Sequence, residues 1–226
     1  MKICAIFSGG KDSTYAAYIA MKYHELKCLV NVTPTKNESW LFHVPNTKLT
    51  EKQAEAIGLP IIRVETKGEK EKELEDLKKA LMIAKERYGI EGVVTGAVKS
   101  TYQSSRFQRV CDELGLWCFN PLWLSDEIKL LENFINSGFK AVVVGVFSYP
   151  FDESWLGKKI DEKFVEEIKA VKEKFGVSAI GEGGEFETFV YDGPIFKKRI
   201  EILEFEKEYS NYSGVLKIKN VRLVEK

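Results

Sequence analysis

The sequence predicts an α/β protein: a parallel, doubly wound sheet followed by a smaller C-terminal α+β part. Three observations predict it. Short apolar runs alternate with amphipathic helical stretches up to about Pro121, a glycine-rich turn separates the first run from the first helix, and after a helix at Glu162 to Phe175 strand patterns follow one another without helices between them.

The elements follow in order. Lys2 to Phe7 is a short apolar strand, and Ser13 to Tyr23, rich in Ala, Tyr, Ile and Met, is the first helix. Lys27 to Val32 is a second strand, stopped at Thr33-Pro34. A helix is predicted from Thr50, where Thr50-Glu51-Lys52-Gln53 has the form of a capping box, to Gly58. Pro60 to Val64 is a third strand. From Glu69 to Tyr88, Leu74, Leu77, Leu81, Ala84 and Tyr88 share one helical face, and Gly89 ends the helix. Gly92 to Thr95 is a strand, Thr101 to Leu114 a helix and Leu116 to Phe119 a strand. Ser125-Asp126 caps a helix reaching Asn136, with Gly138 as its stop and Ala141 to Val146 as the next strand. Glu162 to Phe175 is a helix, and Glu185 to Tyr191, Lys198 to Phe205 and Gly214 to Val224 read as an antiparallel set. The expected division is 1–120 for nucleotide binding and 121–226 for substrate recognition.

Composition bounds the function. The 226 residues suffice for a sizeable core, and 44% hydrophobic with 30% charged residues is the balance of a globular protein. Lys+Arg and Asp+Glu are 34 each, so the basic excess of a general nucleic-acid-binding surface is missing and no stable nucleic-acid binding is expected. A local basic patch stays open. No apolar run approaches the ~20 residues that span a bilayer, and no signal-peptide pattern opens the chain, so a cytoplasmic protein is expected. Cys4, Cys28, Cys111 and Cys118 form no C-x-x-C pair and are expected as reduced, buried thiols. The Lys- and Glu-rich surface points to a thermophilic source.

The chemistry begins at Ser8-Gly9-Gly10-Lys11-Asp12-Ser13. A glycine-rich turn between strand and helix lets backbone N–H groups approach phosphate oxygens, and the helix N-terminus adds partial positive charge. Ser8 and Ser13 supply hydroxyls, Lys11 a cation, and Asp12 suits a nucleotide accompanied by Mg2+. The spacing is neither G-x-x-x-x-G-K-[ST] nor G-x-G-x-x-G, which excludes a Walker A loop and a dinucleotide site. An ordinary βα turn is the plain alternative.

Ser-Gly-Gly-Lys-Asp-Ser after an N-terminal strand resembles the ATP-pyrophosphatase, or adenine nucleotide alpha hydrolase, superfamily. Three further segments narrow it: Ser39-Trp40-Leu41-Phe42-His43-Val44-Pro45-Asn46; Gly96-Ala97-Val98-x-Ser100-x-Tyr102-Gln103-x-x-Arg106, running on to Cys111, Leu114-Gly115-Leu116 and Pro121-Leu122-Trp123; and Gly181-Glu182-Gly183-Gly184-Glu185-Phe186-Glu187-Thr188. Together they resemble the diphthine–ammonia ligase family over nearly the whole chain, departing at Leu41 and Val44, where the family carries Met and Thr.

The resemblance implies a Rossmann-like, HUP-type sheet and a reaction. ATP adenylates the carboxylate of diphthine on translation elongation factor 2, ammonia forms the amide, and AMP and pyrophosphate leave. It also implies roles. Ser8 to Ser13, Asn31, Gly96 and Ala97 bind ATP, with Asp12 on Mg2+. Tyr102, Gln103, Arg106, Glu182, Gly183, Gly184, Glu185 and Thr188 bind substrate. Lys11, Asp12, His43, Glu185 and Glu187 are the catalytic candidates.

Each has a bland counterpart. Gly96 reads equally as a strand-ending turn, Arg106 as a surface salt bridge, His43 as a structural histidine and the acidic 182–187 stretch as a solvated turn. His24 is read as surface. Trp40, Trp123 and Trp155 are candidates for a cation–π contact with the quaternary ammonium of diphthine, against core packing. A tRNA-modifying enzyme and a non-catalytic ATP- or AMP-binding module are the competing functions, and a homodimer is compatible with the sequence.

Overall fold

The computed structural model describes residues 1–34, 46, 49–67 and 70–226. The chain divides into two compact units, Met1–Trp123 and Leu124–Lys226.

The first unit is built on five parallel strands: β1 (Lys2–Ile6), β2 (Glu25–Pro34), β3 (Ile61–Thr66), β4 (Gly92–Val94) and β5 (Trp117–Phe119). Their order is β3-β2-β1-β4-β5. The helices are α1 (Lys11–Met21), α2 (Thr50–Ile57), α3 (Lys70–Tyr88) and α4 (Thr101–Glu113). A parallel sheet needs covering on both faces, and β1, β2 and β4 are almost wholly buried accordingly. Leu74, Leu77, Leu81 and Ala84 of α3 pack with Val110 and Cys111 of α4 onto Cys4, Ile6, Cys28, Val30 and Val93. α1 lies against β1, β2 and β4 through the small residues Ala16, Ala17 and Ala20.

The order reverses about β1: β2 and β3 extend to one side of it, β4 and β5 to the other. The loops leaving β1 and β4 therefore flank a switch point, where doubly wound sheets open a crevice at the carboxyl ends of their strands.

The second unit holds α5 (Glu127–Asn136), β6 (Lys140–Val146), α6 (Glu162–Phe175), β7 (Phe186–Asp192), β8 (Lys198–Ser210) and β9 (Ser213–Glu225), with sheet order β7-β6-β9-β8, all antiparallel. Its core includes Phe134, Phe151, Trp155, Phe164 and Phe186.

Two expectations are corrected. The N-cap of α2 is Leu49, without a side-chain cap bond, so Thr50 opens the helix from inside rather than capping it. β8 continues past Phe205 to Ser210, because Asn211 and Tyr212 both take positive φ (48° and 59°) and close a tight hairpin at Ser210–Ser213. The Asp126 cap holds: its carboxylate accepts the Lys129 N–H at 2.9 Å.

Candidate functional site

The Ser8–Ser13 loop leaves β1 at the switch point. Gly9 has φ +83°, which an L side chain rarely adopts, and Gly10 is the N-cap of α1. The loop is cross-braced. Ser13 Oγ accepts the Ser8 N–H at 3.2 Å and shares a 3.0 Å hydrogen bond with Ser8 Oγ, and the Gly10 carbonyl accepts the hydroxyls of Ser13 (3.2 Å) and Thr14 (2.8 Å). A glycine N-cap has no side chain with which to cap the helix, which leaves that end suited to an anion. Lys11, 4% exposed, pairs with Asp12 at 2.8 Å. Burial on one side and 30% exposure on the other keep this pair beside the loop rather than in bulk water.

Gly96, after β4, presses on the loop. A Cβ there would meet the Ser13 backbone nitrogen at 2.7 Å and the Asp12 carbonyl carbon at 2.8 Å. The turn is fixed by Thr95, whose hydroxyl donates to Asn120 Oδ1 and accepts the Ala97 N–H at 3.3 Å. Asn31, 3% exposed, donates to the Phe7 carbonyl at 2.8 Å. The structure thus gathers Ser8 to Ser13, Asn31, Gly96 and Ala97 toward the carboxyl ends of β1, β2 and β4.

Sequence reading missed two residues of this group. Gln53, fully buried on α2, donates to the Gly9 carbonyl at 2.8 Å. Arg63 of β3, register partner of Asn31, reaches Glu51 at 2.7 Å and Thr33 Oγ1 at 3.4 Å while its Nε is buried without a hydrogen-bond partner. Gln53 was hidden inside the apparent capping box, and nothing in the local pattern marks Arg63.

On α4, Arg106 stacks its guanidinium 3.5 Å from the Tyr102 ring centroid and donates to the Tyr102 carbonyl at 3.3 Å. No carboxylate pairs with it among the described residues, so the salt-bridge reading is corrected: the planar fork is held by an aromatic face. Gln103 donates its N–H to the capping Ser100 at 3.2 Å. His43 and Trp40 lie outside the described residues. His24 is not a plain surface residue. Its ring lies 4.9 Å from that of Phe119, and its Nδ1 is buried without a hydrogen-bond partner.

In the second unit, the segment from Ser178 to Gly184 uses every one of its N–H groups internally. Glu185 accepts Ser178 N–H (2.9 Å) on one carboxylate oxygen and Gly183 N–H (2.8 Å) on the other. Ser178 Oγ accepts Ile180 and Glu182, at 3.3 and 3.2 Å. Ala179 donates to the buried Glu127 at 2.8 Å, which also pairs with Lys172 at 2.5 Å. Gly181 and Gly184 complete the set on the carbonyls of Ser178 and Gly181. With its backbone donors consumed, this loop has no N–H left for an anion, the opposite of the first unit's loop, whose glycine N-cap leaves a helix end open to one. Glu187 and Thr188 stand beside it on β7, with Glu187 opposite Gly145.

Trp155 is corrected as a cation–π candidate. It is 7% exposed, packed edge-to-face with Phe151 and Phe164, and Lys158 already sits 4.1 Å from its ring centroid. Among the described residues no three His, Cys, Asp or Glu side chains gather as a metal site.

Comparison with known proteins adds the family. The profile of the diphthamide synthase N-terminal domain matches residues 1–118, and that of the diphthamide synthase C-terminal domain matches residues 126–224. The chain belongs to the diphthamide synthase family. This diphthamide synthase family member is 34% identical over 223 residues to the diphthine–ammonia ligase of Bos taurus, covering 88% of this chain and 82% of that protein. It is 34% identical over 221 residues to the diphthine–ammonia ligase of Homo sapiens, with the same coverage of each. A crystal structure of a "predicted subunit of tRNA methyltransferase" from Methanocaldococcus jannaschii overlays with a TM-score of 0.45 at 19% identity, covering 86% of this chain and 98% of that one, a likeness too low to bear on function. No helix among the described residues is long and apolar enough to cross a membrane.

Proposed function

We propose that this family member is an amide-forming ligase that converts diphthine on translation elongation factor 2 to diphthamide, using ATP and ammonium. The observation that carries the ATP half is the loop at Ser8–Ser13, seated at the switch point with Gly96 against its helical turn. The substrate half is supported by the family of both domains and by the donor-exhausted, acidic loop of the second unit.

The diphthine carboxylate attacks the α-phosphorus of ATP and pyrophosphate leaves, giving an acyl adenylate. Ammonia then adds to the carbonyl, loses a proton, and AMP departs. The loop's N–H groups and Lys11 hold the phosphates, with Lys11 exchanging Asp12 for the incoming anion. Asp12, half-buried at the helix end, fits Mg2+, which keeps most of its waters and takes one carboxylate alongside substrate phosphates. There it would neutralise charge on the pyrophosphate leaving group. Asn31, Gly96 and Ala97 border the nucleotide. Arg106, held flat by Tyr102, offers a fork to a carboxylate or phosphate oxygen, with Gln103 beside it. Glu182 and Glu187 draw the cationic reactants, ammonium and the trimethylammonium of diphthine. Glu185 acts by shaping the loop, since both its oxygens hold backbone N–H groups. His43 is proposed as a proton acceptor for the incoming ammonium.

Nucleotide product analysis tests the reading. With ATP, Mg2+, ammonium and diphthine-bearing elongation factor, AMP and pyrophosphate should accumulate in step. ADP and phosphate would contradict α,β-cleavage, and turnover on tRNA but not on elongation factor would reject the ligase assignment.

A further inference from the structure

Gln53 lies 44 residues beyond Gly9 of the phosphate loop, yet its Nε2 donates to the Gly9 carbonyl at 2.8 Å from a fully buried position. The fit is close: a Cβ on Gly9 would stand 2.1 Å from Gln53 Oε1. The Gly9–Gly10 peptide is planar and trans, so its C=O and N–H point to opposite sides. With the Gly9 oxygen drawn to Gln53, the Gly10 N–H faces the other way, where among the described residues it makes a single long 3.4 Å contact, with Ser8 Oγ. Gly10 is also the N-cap of α1, so this donor stands at the positive end of the helix.

We infer that Gln53 is a positioning residue that fixes the Gly9–Gly10 peptide so that the Gly10 N–H is presented to the nucleotide's phosphates. The inference rests on the proposed ATP reading. A Gly-Gly peptide is otherwise among the freest in a chain. Without an anchor it samples both orientations, one of which turns a carbonyl oxygen toward the phosphates. The anchor also couples the loop to α2 and so to β3, which follows it.

Calorimetric titration of wild-type protein, Gln53→Glu and Gln53→Met with ATP, inorganic pyrophosphate and adenosine tests this, with thermal unfolding measured alongside. Gln53→Glu keeps the shape and places an acceptor against the carbonyl, while Gln53→Met keeps the length and removes the donor. Both variants should lose about tenfold in affinity for ATP and pyrophosphate, the scale of one hydrogen bond to a charged group, and bind adenosine as wild type does. Unchanged pyrophosphate affinity in a folded variant would overturn the role, as would an equal loss for adenosine, which marks general damage. Wild-type protein that binds neither ATP nor pyrophosphate would overturn the ATP reading itself, and this inference with it.

Discussion

Gly96 and Ser13 are in backbone contact: a Cβ on the glycine would lie 2.7 Å from the serine's nitrogen. The turn after β4 therefore rests on the first turn of α1 at the switch point, a closeness that leaves no room for a Cβ without a shift. Gly96→Ala must displace that turn or the helix end. We expect a destabilisation of about 1–3 kcal/mol with weaker ATP binding, read by thermal unfolding and nucleotide titration. A variant with unchanged melting temperature and ATP affinity would show that the contact yields without cost.

The two oxygens of Glu185 hold the N–H groups of Ser178 and Gly183. Glu185→Ala orphans both donors, each worth about 1–3 kcal/mol where water cannot replace the acceptor. Amide formation should fall at least tenfold while ATP affinity stays within twofold, and hydrogen exchange at Ser178 and Gly183 should quicken. Lost ATP binding would mean that the site is organised differently.

Asp12 carries the Mg2+ assignment. Asp12→Asn keeps the shape and removes the charge, so pyrophosphate release should drop and demand more Mg2+. Rescue by raised Mg2+ without any change in the Mg2+ dependence of ATP binding would argue against metal contact and for a role in partnering Lys11.

The thiols give a pH signature. Burial, and then the hydrogen bond with Cys28, pushes the Cys4 thiol well up. The hydrogen bond between Cys111 and Cys118 pushes the first thiol up and the second down, opposite signs within one pair, so the signature rests on Cys4. The folded state therefore keeps protons that the unfolded chain releases above about pH 8.5. A group raised on folding contributes stability that is full below its unfolded pKa and is lost as pH rises. Urea midpoints should be lower at about pH 9.5 than at about pH 7.5, and Cys4→Ala should flatten the difference. An equal midpoint at both values would contradict the buried-thiol account.

Much of this was legible because the relevant signals are local. The α3 face, the Asp126 cap and the glycine-rich loop each show in a short window, and the structure places them as read; the late strands do so except at the end of β8. What escaped depends on contacts across long stretches of chain. Gln53 and Gly9 meet only because α2 folds over the loop, and Glu127 reaches Ala179 across 52 residues. The β8–β9 turn escaped for a different reason. Asn211-Tyr212 lacks the glycine that usually marks two consecutive positive φ angles. Glu185 was identified as part of the site, but only hydrogen-bond geometry separates a brace from a reacting group.

The most direct measurement is the mass of diphthine-bearing elongation factor 2 after incubation with the protein, ATP, Mg2+ and isotopically labelled ammonium. The predicted result is one labelled nitrogen per factor, in an amide replacing the diphthine carboxylate, with one AMP formed for each. An unlabelled, unchanged factor in the presence of active ATP cleavage would contradict the ligase reading.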